Sequence, residues 1–152
     1  MKYAEKLEYN SQIRWDKATG GIFEYDKYEN SSFDTPIEFD RNGLAPCPDQ
    51  LFLVSIGGCM MNTFTHYAHR LDLTFDDVFI TLQASLSLRK EGYRFDKINA
   101  KIMIQTTEEH FELAERCGFL AKEYCHITRS IESALPVNVN IEVDSKSLCI
   151  YP

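Results

Sequence analysis

The chain has 152 residues, 44% of them hydrophobic, and a formal net charge of −7 at neutral pH. That length and apolar content suit a single domain spanning residues 1–152, with its own core and no room for a second domain of ordinary size. An acidic balance with no run of Lys and Arg argues against a nucleic-acid-binding surface.

The longest apolar stretch, residues 51–61, is too short to span a bilayer, and residues 1–6 lack the apolar core of a signal peptide. The expectation is a soluble, cytoplasmic protein without membrane contact. Five cysteines, at 47, 59, 117, 125 and 149, include no Cys-x-x-Cys pair. An odd number in such a chain fits packing and reactive thiols better than a disulfide framework.

Tyr3, Leu7, Tyr9, Ile13 and Trp15 fall on odd positions with mostly polar residues between, which predicts a half-buried strand. Gly20-Gly21 marks a turn. Residues 22–26 and 35–40 are expected to pair, with Asn30-Ser31-Ser32 as their loop. Asp40-Arg41-Asn42-Gly43 and Pro46-Cys47-Pro48 interrupt the chain. A helix then runs from about Pro48 to Leu71, roughly 33 Å long. Proline suits its first turn, and Asp49 faces the positive end of its dipole. Apolar side chains surround its first half, so burial on all sides is expected there, with Gly57-Gly58 admitting a neighbouring backbone.

The clearest alternation follows. Val78, Ile80, Leu82, Ala84, Leu86 and Leu88 share one parity, and Ile98, Ala100, Ile102 and Ile104 repeat it after a turn at Lys90-Glu91-Gly92, predicting a long antiparallel hairpin. Thr106 and Glu109 have capping-box spacing. Phe111, Ala114, Cys117, Phe119, Leu120, Ala121, Tyr124, Ile127 and Ile131 trace one helical stripe, ended by Pro136. Val137, Val139, Ile141 and Val143 make a last strand. The order predicts an α+β fold, with two main helices packed on antiparallel sheet.

Cys59 lies within the core helix and Cys125 late in the second, a placement that allows thiol–disulfide chemistry without requiring it. Cys59 is too far into its helix to gain from the dipole. A reactive thiolate there needs a side-chain cation, most naturally an arginine held by a carboxylate. Such a thiolate would attack a peroxide O–O bond to give sulfenic acid, and a second cysteine would resolve it to a disulfide. Periodicity leaves open whether the two sulfurs meet or are inert core residues.

The stretch Pro48-Asp49-Gln50-Leu51-Phe52, running on to Gly57-Gly58-Cys59, resembles the Pro-Glu-x-Leu and small-small-Cys signature of the OsmC/Ohr family of peroxide-resistance proteins. Glu123-Tyr124-Cys125-His126-Ile127, followed by Pro136-Val137-Asn138-Val139, is similar to that family's second cysteine motif and closing strand. The likeness covers about residues 40–145. It implies an OsmC-like fold in an intertwined homodimer, with Cys59 as peroxidatic and Cys125 as resolving cysteine. It further implies a cofactor-free reduction of organic hydroperoxides and regeneration by a dithiol, dihydrolipoyl-type in the Ohr relatives. Asp49 falls where the family carries an arginine-positioning glutamate. The activating arginine would be Arg41, a few positions off register, with Arg14 in reserve. The alternative is a non-catalytic protein of the same fold, binding a small apolar ligand at the dimer interface.

The remaining candidates have plainer readings. Cys47, Cys117 and Cys149 have no counterpart in those motifs and read as structural, although Cys47 between two prolines is open to oxidation. His66 and His69 share a helix face but lack a third ligand, so no metal site is expected. His126, next to Cys125 on a continuous helix, would point away from that thiol. The N-terminal aromatic residues read as core or dimer contacts.

Overall fold

The computed structural model describes residues 5–25, 28–39 and 43–145. It is a mixed α+β structure with two main helices and two three-stranded sheets. The chain divides into two compact units, residues 1–52 and 53–152.

In the N-terminal unit, β1 (Gln12–Trp15), β2 (Gly21–Tyr25) and β3 (Tyr28–Phe33) form an antiparallel sheet in that order. The Gly20-Gly21 turn needs its glycines, because a Cβ on Gly20 would lie 2.0 Å from the Phe33 carbonyl oxygen. Asn30-Ser31-Ser32 lies inside β3 rather than in a loop. Residues 29–32 are exposed, so this edge strand carries no apolar alternation to reveal it. The strand expected over 35–40 is absent from its described part, residues 35–39: Pro36 leads into a 3₁₀ turn at Ile37–Phe39, with Phe39 N–H donating to the Pro36 carbonyl at 3.0 Å. Asp34 is buried and accepts from Thr19 Oγ1 at 2.5 Å and from the backbone N–H groups of Thr35 and Leu44. β1 is exposed along its whole length, where half-burial was expected.

Helix α1 spans Pro48–Arg70. Ile56, Met60, Phe64 and Ala68, spaced by four, form its buried stripe, with Gly57 and Cys59 alongside. Burial on all sides of its first half does not occur, since Val54 is 66% exposed. The helix stops in a Schellman turn: Leu73 N–H donates to the Ala68 carbonyl at 2.9 Å, and Asp72 takes a left-handed φ of 54°.

β4 (Asp77–Arg89) and β5 (Gly92–Gln105) form the expected hairpin, with a bulge opposite Ser85 and Leu86. β6 (Val137–Asp144) joins the other edge of β5 and runs parallel to it. The predicted capping box does not form. Thr106 instead extends the sheet, its N–H donating to the Asp144 carbonyl at 3.0 Å and its hydroxyl to the Thr74 carbonyl at 2.7 Å. A 3₁₀ turn (Glu108–His110) then leads into α2 (Phe111–Tyr124).

The core of this unit packs Phe64, Ala68 and Leu73 of α1 and its turn against Ile102 and Ile104 of β5 and Ala114, Cys117 and Ala121 of α2. Gly57 admits a side chain rather than a backbone, since an added Cβ would meet Leu82 Cδ1 at 2.7 Å. Gly58 faces open space within the single chain.

Candidate active site

The second helical stripe is not one helix. α2 ends at Tyr124, Cys125 takes an extended ψ of 106°, and a short helix α3 (His126–Ile131) follows. The break is held from behind: Thr128 Oγ1 donates to the Cys125 carbonyl at 3.0 Å, and Arg129 N–H donates to the same oxygen at 3.1 Å. Cys125 therefore sits at the start of α3, fully buried.

Its thiol neighbours that of Cys59 and acts on its ionisation. Cys59 is 8% exposed and held on α1, where its carbonyl accepts from Thr63 Oγ1 at 2.8 Å. Beside the Cys59 sulfur stands the His126 ring, with Nδ1 at 3.6 Å and Nε2 at 3.8 Å. His126 was read as pointing away from Cys125; the break turns its ring to Cys59 instead.

Burial is the largest influence on the Cys59 thiol and pushes its pKa above the ordinary range. The Ile127 backbone N–H pulls it down, the Cys125 thiol pushes it up, and the His126 backbone N–H pulls it down again. The net direction is upward, so the resting thiol holds its proton at neutral pH. Within residues 53–145, no guanidinium is among the groups acting on it.

The other sequence candidates fall elsewhere. Asp49 is exposed in the first turn of α1. Arg14 is exposed on β1 and paired with Glu24 at 3.0 Å. Arg41 and Cys149 lie outside the described residues. Cys117 is fully buried in the core, and Cys47 is half-buried, its N–H donating to Gln50 Oε1 at 3.0 Å. His66 and His69 are exposed, and no cluster of three metal-ligating side chains occurs among the described residues. No helix among them is long and apolar enough to cross a membrane.

A model of the OsmC-like protein family matches residues 41–140. The chain belongs to the OsmC-like family. Solved structures of similar fold include an organic hydroperoxide resistance protein from Elizabethkingia anophelis, with TM-score 0.76 and 12% identity over 93% of this chain and 100% of that one. An OsmC-like protein from Mycoplasma pneumoniae has TM-score 0.72 and 21% identity over 92% and 99% of the two chains. An organic hydroperoxide resistance protein OsmC from Legionella pneumophila has TM-score 0.66 and 22% identity over 91% and 99%. At those identities the likeness to this OsmC-like chain is one of fold. Among curated proteins, none is matched by sequence.

The ring of His126 beside Cys59 is what periodicity does not reveal: the break at Cys125 has no side-chain cap, Gly or Pro to announce it.

Proposed function

We propose that this OsmC-like protein is a cytoplasmic, cofactor-free thiol peroxidase that reduces organic hydroperoxides. The observation that carries the reading is the Cys125 thiol against that of Cys59, two buried sulfurs from separate helices. In this scheme the Cys59 sulfur attacks the terminal peroxide oxygen: the S–O bond forms, the O–O bond breaks, and the alkoxide leaves as alcohol. The Cys125 thiol then attacks the sulfenic sulfur, forming the S–S bond and releasing water. A dithiol, dihydrolipoyl-type in chemistry, returns both thiols by two exchanges and becomes a disulfide itself. Arg41 and Asp49 keep the roles implied by the family motif, Arg41 stabilising the thiolate and Asp49 orienting the arginine. Family membership and fold support a peroxide-related role. The test is consumption of cumene hydroperoxide with a dithiol, which Cys59→Ser should reduce to background. A wild-type protein inert toward organic hydroperoxides with every dithiol tried would end this reading.

The upward pKa shift of Cys59 favours a second reading, a non-catalytic protein binding a small apolar ligand at a dimer interface. Native mass spectrometry separates the two. A copurifying ligand together with slow alkylation of Cys59 at neutral pH supports the binder, and rapid turnover of hydroperoxide excludes it.

A further inference from the structure

A thiol whose burial favours the protonated form must lose its proton as it attacks, so something beside it has to take that proton. Cys125 is a poor acceptor: it is fully enclosed and is itself a thiol. His126 has the three properties required. Its ring nitrogens lie 3.6 and 3.8 Å from the Cys59 sulfur, so either neutral tautomer leaves a bare nitrogen within reach. Its side chain is exposed while the sulfur is buried, so it joins an enclosed thiol to solvent. An imidazole can also accept a proton at one ring nitrogen and donate from the other.

We infer that His126 is the acid–base partner of Cys59, taking the thiol proton and returning it to the leaving alkoxide. The inference rests on the peroxidase reading for its substrate. The electrons balance as before: sulfur loses two, and the peroxide oxygens gain two. The imidazole only moves the proton, from Sγ to a ring nitrogen and then to the departing alkoxide oxygen, so no further reactant is needed.

Among the described residues, the Cys59 thiol faces the His126 ring from α1, with the Cys125 thiol behind. On α3 itself Arg129 lies three residues on, and the preceding end of α2 carries Lys122 and Glu123.

The test compares His126 with His126→Gln in a Cys125→Ser background, following alkylation of Cys59 by peptide mass spectrometry from about pH 5.5 to about pH 10. With the imidazole present, reactivity should rise through the neutral range. In the Gln variant it should fall about 100-fold at neutral pH and approach the parent only in alkali, where the thiol ionises unaided. An unchanged pH profile, or an equal loss at every pH, would overturn the inference, because a merely structural side chain acts in that way.

Hydroperoxide turnover separates this inference from the proposed activity. No turnover, with an imidazole-dependent alkylation profile, sinks the peroxidase and leaves the pair standing. Turnover with one pH profile, with or without the imidazole, sinks the pair and leaves the peroxidase.

Discussion

At Cys59 the sulfur has a polar outlet, the exposed His126 ring, whereas the Cys125 sulfur is fully buried. That asymmetry puts Cys59 first and Cys125 second in the proposed chemistry. Cys125→Ser should therefore consume about one hydroperoxide per chain and then stop, leaving a sulfenic acid on Cys59 that a dimedone-type probe labels. Sustained turnover by that variant would remove Cys125 from the scheme. Cys117 shows the opposite use of a thiol, as core packing. Burial raises its pKa, with Arg116 pulling the other way. Because the folded value is raised, the unfolded chain loses this proton first as pH climbs. The stabilising contribution is complete below the unfolded thiol pKa and is lost as pH rises through the folded one. Thermal melts should show falling stability above about pH 9, and Cys117→Ala should flatten that decline even while lowering stability at neutral pH. The two cysteines proposed as reactive were singled out in the sequence by the likeness of their motifs to the OsmC/Ohr signature, while periodicity left their roles open. The imidazole was not, because its placement depends on one extended residue that no Gly or Pro announces.

Elements with a face to bury were the readable ones. The β4–β5 hairpin and β6 each pack one side against helices, so alternation survives in their sequence. β3 has water on both sides of its central residues, and polar Asn30, Ser31 and Ser32 there look like a loop. The 106° ψ at Cys125 was hidden for another reason: the apolar stripe continues on both sides of the break, so periodicity runs through it. Helix ends follow the same logic. Asp72 occupies the left-handed position of the α1 Schellman turn, where a Cβ is strained and glycine is not. Asp72→Gly should raise stability by about 0.5–1 kcal/mol in urea titration, strain relief outweighing the added freedom of the unfolded chain. A loss of stability would mean that the Asp72 side chain contributes more than its backbone costs.

For the molecule as a whole, the unexplained quantity is apolar surface on the N-terminal sheet. Ile13 and Trp15, same-face residues of β1, are 70% and 66% exposed, and Leu7 and Tyr9 ahead of them are exposed as well. The alternation in the sequence announced a face to be covered without saying which chain covers it, and among the described residues β1 is exposed along its length. Contiguous apolar surface of this kind marks an interaction site in soluble proteins. A second copy is the occupant implied by the family motif, and a two-fold interface would use each residue twice. Burying an Ile or Trp contributes about 1.5–3 kcal/mol, so placing a carboxylate there should loosen a symmetric dimer by about 100-fold or more. Sedimentation velocity is the measurement. The wild-type chain should run as a dimer at micromolar concentration, and Ile13→Asp should run as a monomer with unchanged secondary structure by circular dichroism. If both proteins sediment as monomers, or both as dimers, β1 is not the dimer contact.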